Sequence, residues 1–207
     1  MSVVIVDYGA GNLRSVQKAV ERAGCQPLIT DDPEKVLGAD AVILPGVGAA
    51  ADTMRNLRQH GMEEPVRTVI AQGVPFLGVC MGLQALLSVS EEDGEQRCLD
   101  VLLGTVRRLP SGQKVPHMGW NEVRQLRPHP IFRGIPDRAY FYFVHSYYAD
   151  PEDASAVIGE TEYGLAFPSV LARGNLLATQ FHPEKSGELG LRLYANFLDH
   201  ARRGGGK

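Results

Sequence analysis

The run Gly78-Val79-Cys80-Met81-Gly82-Leu83-Gln84 sets a thiol two residues from a glycine on either side. It lies between a buried apolar segment, Val74 to Val79, and a helical pattern through Leu83, Leu86 and Leu87. Strand, tight turn and helix in that order hold a nucleophile in a strained backbone conformation above a sheet, and the turn closes only when the residues two positions away are small. At a helix start, unpaired amides and the dipole favour a thiolate, and the same amides can hold an oxyanion. The alternative is that Cys80 is a small buried hydrophobe, as most free cysteines are, but a plain strand-to-helix junction does not need both glycines. Cys25 and Cys98 lack such a setting and read as structural thiols. Three cysteines at these spacings form neither a zinc site nor a disulfide framework.

A thiol nucleophile needs a base, and the base needs a group that fixes its tautomer. Gln180-Phe181-His182-Pro183-Glu184-Lys185 follows the apolar run Leu176 to Thr179, so His182 emerges at a strand end. Pro183 stiffens the turn, and Glu184 stands at a spacing from which its carboxylate can curl back to accept the other imidazole N–H. Of the six histidines, His60, His129 and His200 are expected at the surface. His117 and His145 sit beside aromatic, strand-like stretches and read as structural histidines, with a place lining a cleft as the alternative.

Leu44-Pro45-Gly46-Val47-Gly48 follows a strand and reads either as an ordinary turn or as a loop whose amides face a ligand. It is a poor phosphate loop, having neither a Gly-Lys-Ser/Thr ending nor a G-x-G-x-x-G opening a helix. An elbow nucleophile takes one oxyanion donor from the residue after it and one from a neighbouring strand's loop. Met81 and the loop Gly46 to Gly48, with the amide of Val47 or Gly48, fill those places.

These groups must be positioned by a sheet. Ser2 to Asp7, Ala41 to Leu44 and Val74 to Val79 are continuous apolar runs, and helical spacing follows the first over Gly11 to Gly24. Such strands separated by helices predict an α/β fold, a doubly wound, mainly parallel sheet with helices on both faces. In the second half, Gly104 to Leu109, Trp120 to Leu126, Ala139 to Val144, Pro168 to Ala172 and Leu176 to Phe181 are strand-like and predict antiparallel additions flanking that core. Glu188 to Ala201 places Leu189, Leu193, Asn196, Phe197 and His200 on one side of a docking helix, and residues 202–207 read as a frayed tail. No repeat or linker splits the chain, so residues 1–207 are expected to form one domain.

Bulk properties exclude other roles. A net charge of -3 gives no support to general nucleic-acid binding, and 44% hydrophobic with 22% charged residues fits a soluble globular chain. No apolar run reaches spanning length and the start lacks the features of a secretory leader, so no membrane association and a cytoplasmic location are expected.

With these motifs assembled, the chain resembles the class I (triad) glutamine amidotransferases, marked by the G-x-C-x-G-x-Q elbow and a downstream H-P-E. Within them it is similar to the glutaminase subunits of imidazole glycerol phosphate synthase, through Asp7-Tyr8-Gly9-Ala10-Gly11-Asn12, Pro45-Gly46-Val47-Gly48, His117-Met118-Gly119-Trp120-Asn121 and Val144-His145-Ser146-Tyr147. The resemblance implies a flavodoxin-like core, Cys80 as nucleophile, His182 as acid/base and Glu184 as its orienter. It also implies Gly46, Gly48, Gln84, His145, Ser146 and Tyr147 around L-glutamine, and Asn12, Trp120, Asn121 and Lys185 at a face meeting a TIM-barrel cyclase (synthase) subunit as a heterodimer. No metal and no organic cofactor are expected. The rivals are a glutaminase serving pyridoxal phosphate, anthranilate or guanylate synthesis, a non-catalytic module keeping a decayed elbow, and a cysteine hydrolase of other substrates. The His117 to Asn121 segment argues against the first, and the intact triad against the second. The third would want an extended substrate cleft.

Overall fold

Continuous apolar runs become central parallel strands because both faces of such a strand must be covered. In the computed structural model, which describes residues 1–204, β1 (Val3–Val6), β3 (Ala41–Leu44) and β4 (Phe76–Val79) are buried along their whole length, whereas β2 (Leu28–Thr30) between β1 and β3 in sequence is short and partly exposed. The remaining strands are β5 (Val89–Ser90), β6 (Gln96–Arg97), β7 (Gly104–Arg108), β8 (His117–Gln125), β9 (Ala139–His145), β10 (Tyr147–Pro151), β11 (Val157–Glu162), β12 (Ala166–Arg173) and β13 (Leu176–Thr179). A nine-stranded sheet runs β2-β1-β3-β4-β13-β12-β11-β8-β9. Its β2, β1, β3, β4 and β13 are parallel, and β12, β11, β8 and β9 extend it antiparallel.

The expected antiparallel additions are present, with one difference. Gly104–Arg108 does not join the main sheet but pairs with β10 and β5 in a separate four-stranded sheet, β10-β7-β5-β6.

The helices are α1 (Leu13–Arg22), α2 (Pro33–Leu37), α3 (Ala50–Gln59), α4 (Glu63–Ala71), α5 (Met81–Gln84) and α6 (Gly187–Arg202). They and the second sheet cover the main sheet with two apolar layers, one of which contains Ile5, Val20, Phe143, Phe181 and Phe197, the other Val6, Leu44, Leu57, Leu83 and Leu176. α6 docks as its periodicity predicts through Leu193, Asn196 and Phe197, and its buried stripe also takes in Tyr194, Leu198 and Ala201. Asn196 is tolerated there because its amide donates to the carbonyls of Ile131 and Arg133, at 2.8 Å each.

Two expectations are corrected. The helix after Cys80 stops at Gln84 instead of running through Leu87: the next amides tighten to i−3 bonds, Leu86 N–H to Leu83 O and Leu87 N–H to Gln84 O, and the carbonyls of Ala85 and Leu86 accept from Leu99 and from Val101 and Leu102 N–H. A one-turn helix has little macrodipole, so individual amides carry the electrostatics at Cys80. At the C-terminus, Arg202 closes α6 and Arg203 caps it, so these two residues belong to the helix end and not to a frayed tail, and 205–207 lie outside the described residues. Among the described residues no helix is long and apolar enough to cross a membrane.

Candidate active site

β4 delivers the chain into the elbow. Cys80 has φ 53 and ψ -104, a left-handed conformation that costs an L-residue of order 1–3 kcal/mol. Close packing maintains it. A Cβ on Gly78 would lie 2.7 Å from Gly82 O, and one on Gly82 would lie 1.9 Å from Leu44 O, so the elbow can sit against β3 only with both positions bare. The Cys80 N–H donates to Thr179 O at 2.7 Å, tying the elbow to the end of β13, the strand that leads to His182.

His182 and Glu184 flank Pro183 at the head of a 3-10 turn, Pro183–Lys185. His182 Nδ1 donates to Glu184 Oε1 at 2.8 Å, with the two side chains 1% and 0% exposed. Burial opposes a charge on His182, but the Cys80 sulfur and the Glu184 carboxylate outweigh it and raise the imidazole to about 10. Burial also pushes Glu184 up, and the hydrogen bond from His182 with its positive charge overcomes this and holds the carboxyl below its ordinary value. The imidazolium–carboxylate form is therefore favoured. His182 Nε2 is buried, and among the described residues no atom completes a hydrogen bond to it. It shares with Cys80 a pocket of about 350 Å³.

That pocket gathers most of the residues expected around a substrate: Val47, Gly48, Met81, Gln84, His145, Ser146, Tyr147 and Lys185 line it with Cys80 and His182. Gly46 is different. It is buried behind the wall, where its Cα hydrogen faces Met81 and the Tyr8 hydroxyl too closely for any side chain. The Tyr8 hydroxyl donates to Pro45 O at 2.8 Å and so clamps the root of the loop. Beyond the clamp, Gly48 takes φ +99 with open space around it. Met81 N–H belongs to the first turn of α5, whose leading amides have no intrahelical acceptor.

Sequence reasoning missed three participants. Glu92, following β5, lines the pocket, and its Oε2 accepts from Ala50 N–H at 2.6 Å. Gln180 donates through Nε2 to Cys80 Sγ at 3.7 Å and accepts from Gln84 Nε2 at 3.1 Å. Pro116 completes the rim. Glu92 sits in a polar turn with no local signal. Gln180 was legible as the last polar residue before His182 at the end of an apolar strand.

The four residues assigned to a partner face separate. Trp120 is 56% exposed on the outer side of β8, with Met118 at 62% and Tyr140 at 53% beside it. Its ring meets Tyr142 edge-on at 6.2 Å, and Lys185 Nζ lies 5.9 Å above the Tyr142 ring, so Trp120 and Lys185 form one surface. Asn12 is 8% exposed and donates to Glu184. The Asn121 side chain points to the opposite side of β8 from Trp120, because strand residues alternate, and donates to His117 Nε2 and Glu162 O. The histidines expected at the surface also divide: His60 is exposed, while His129 and His200 are half-buried, the former accepting from Ile131 N–H through Nδ1.

Residues 4–201 match the family described as glutamine amidotransferase class-I. The chain is 55% identical over 203 residues to the imidazole glycerol phosphate synthase subunit HisH of Moorella thermoacetica, covering 98% of this chain and 97% of the relative. It is 50% identical to the HisH subunit of Dehalococcoides mccartyi strain CBDB1, with 96% and 97% covered. Among solved structures, a glutamine amidotransferase superposes with TM-score 0.76 at 25% identity, covering 97% of this chain and 100% of that one. The PurLQS structure from Thermotoga maritima superposes at 0.75 and 17% identity, covering 96% and 98%, a likeness of fold. With an elbow cysteine, a buried histidine–carboxylate pair and near-complete alignment to the HisH subunits, the chain belongs to the class I glutamine amidotransferases.

Proposed function

We propose that this chain hydrolyses L-glutamine to L-glutamate and ammonia with Cys80, His182 and Glu184, and passes the ammonia to a cyclase subunit of imidazole glycerol phosphate synthase. The observation that carries the reading is the buried His182–Glu184 pair opening onto the same pocket as a cysteine held at φ 53. The Cys80 thiolate attacks the side-chain carboxamide carbon, and the charge moves to the carbonyl oxygen. Met81 N–H and the Val47 or Gly48 amide receive that oxyanion. The His182 imidazolium protonates the amide nitrogen, the C–N bond breaks and ammonia leaves a γ-glutamyl thioester. Water then attacks the thioester with His182 as base, releasing glutamate and the thiol.

Glu92, a carboxylate on the pocket wall, suits the α-ammonium group of glutamine. The outer side of β8 and β9, carrying Met118, Trp120 and Tyr140 with Lys185 at its margin, is the face offered to the cyclase subunit. Relatives named as HisH subunits of the synthase, aligned end to end at about half identity, support that assignment. The test is Cys80→Ala in the assembled complex. Glutamine-dependent synthesis is lost and synthesis from an added ammonium salt persists. Loss of both in an intact complex would refute the assignment of Cys80.

A further inference from the structure

Two buried histidines lie outside the triad. β8 pairs with β9 so that His117 stands opposite His145, and their facing nitrogens, His117 Nδ1 and His145 Nε2, are 3.0 Å apart. His117 is sandwiched between Phe143, 5.0 Å away, and Tyr163, 4.0 Å away, both near parallel to it. Phe167 edges on both rings. Each outer nitrogen of the pair, His117 Nε2 and His145 Nδ1, has a neighbour whose chemistry is fixed, and these two neighbours determine where the protons are.

At one end is Asn121. Its Oδ1 accepts from the Glu122 backbone N–H at 2.8 Å, and its Nδ2 donates to Glu162 O at 2.9 Å. A backbone donor and a backbone acceptor thus fix the amide's orientation, so Nδ2 must also donate to His117 Nε2, 3.2 Å away. At the other end, His145 Nδ1 is 2.9 Å from Tyr147 O, a carbonyl that can only accept. His145 therefore carries its proton on Nδ1 and accepts at Nε2, and His117 carries its proton on Nδ1 and donates across the gap. A second proton on either ring would set donor against donor. Burial acts in the same direction, holding His117 down to about 4 and His145 to about 3.

The relay ends on the substrate pocket. Tyr147 O also accepts from Gln84 Nε2 at 2.7 Å, and the second N–H of that nitrogen goes to Gln180 Oε1. Both donors of the Gln84 amide are spent inside the protein. Its remaining polar atom, the acceptor Oε1, is what the residue can offer to the pocket it lines.

We infer that His117 and His145 are positioning residues: a one-directional relay from Asn121 through both imidazoles holds the Tyr147 carbonyl, which orients Gln84 to present an acceptor to the substrate. With the opposite tautomer, a His145 lone pair would face Tyr147 O and push it from the place where it holds Gln84. An acceptor in the pocket takes an N–H of the substrate, so the relay contributes to the hold on glutamine. This last step rests on the glutaminase reading above.

Two measurements test it. Histidine-selective ¹⁵N NMR of the whole chain should show both imidazoles as neutral Nδ1–H tautomers that do not titrate from pH 8 to 5. An Nε2–H tautomer, or titration near 6.5, overturns the relay whatever the protein's activity. In glutamine hydrolysis, His117→Phe removes the donor to His145, whereas His117→Asn keeps an amide nitrogen near the Nδ1 position. In the complex with its partner's ligand bound, the glutamine KM should rise about tenfold in His117→Phe with kcat little changed, one lost hydrogen bond's worth, and largely recover in His117→Asn. Equal effects of the two substitutions, or an unchanged KM in both, overturn it. A wild-type complex inactive on glutamine with the partner's ligand bound would strike the proposed function alone, since the NMR result does not depend on substrate.

Discussion

Asn12 Nδ2 donates to Glu184 Oε1 at 2.9 Å, the same oxygen that accepts from His182 Nδ1. The Glu184 carboxylate is thus held from behind by the residue that precedes α1, while the Tyr194 hydroxyl stands 3.5 Å from its other oxygen. Asn12→Ala should lower kcat for glutamine hydrolysis about tenfold with little change in KM, because the loss loosens the orienter and leaves substrate contacts intact. Asn12→Asp should be worse, since it sets a second carboxylate against Glu184. Glu184→Gln should be milder than His182→Ala. Steady-state kinetics of the four variants would discard this ordering if Asn12→Ala matched wild type or Glu184→Gln exceeded His182→Ala.

The elbow makes a stability prediction. A Cβ at Gly82 would come within 1.9 Å of the Leu44 carbonyl oxygen, a backbone atom that cannot move aside without shifting β3. Gly82→Ala should therefore cost about 3 kcal/mol or more, as overpacking against backbone does. Chemical denaturation measures it, and a change within about 0.5 kcal/mol would mean that the junction has slack the packing does not suggest.

Acid should weaken the fold in a defined window. The pKa values of His117 and His145 are depressed, so the unfolded chain takes up protons near pH 6.5 that the folded chain refuses until about 4 and about 3, and stability falls as pH drops through that range. Half-buried His129 and His200, also depressed by burial, act in the same direction. His182 has the opposite sign: its raised pKa contributes stability that is complete below about 6.5 and is lost toward 10, so it adds no slope in the acid window. Unfolding free energy measured from pH 7 to 5 should fall, and His145→Gln should remove about one proton from that dependence near pH 5.5. An unaltered slope would show that His145 charges in the folded state.

Gly48 provides the test of regulation. Nothing lies within 4 Å of a Cβ built there, so Gly48→Ala adds no clash and acts only through φ +99, which alanine disfavours by about 1–2 kcal/mol. If the free chain holds this loop with an oxyanion donor turned away, the free chain should hydrolyse glutamine poorly and the partner with its ligand bound should accelerate it. Alanine should then raise basal turnover about tenfold and shrink the activation ratio. Turnover of free chain, complex and liganded complex, with and without the substitution, decides this. A fully active free chain, or an unchanged ratio, would remove the loop from the switch.

The parts of this molecule that are legible in sequence are those set by local pattern. Ala41–Leu44 reads as a buried strand because four consecutive apolar residues have no polar face to expose, and the Cys80 elbow reads from the two glycines its packing demands. β2 is three residues long and half exposed, and β5 and β6 have two each, too short for any period to register. The Asn121–His117–His145 line is invisible for a different reason. Its members were singled out, but their alignment depends on the β8–β9 register and on Glu162 from a third strand, relations that no single window contains. Glu92 reaches the pocket through the fold of the second sheet, which sequence alone did not separate from the first.

The conformation at residue 80 sets folding against activity. A φ of 53 is unfavourable for cysteine and ordinary for glycine, so part of the folding free energy is spent keeping the sulfur where it can react. Variants selected only for resistance to heat or denaturant would tend toward glycine at this position and become more robust as they lost the proposed nucleophile. A stabilisation campaign on this scaffold must therefore score turnover alongside melting temperature, or the position proposed to carry the chemistry becomes the one it erodes first.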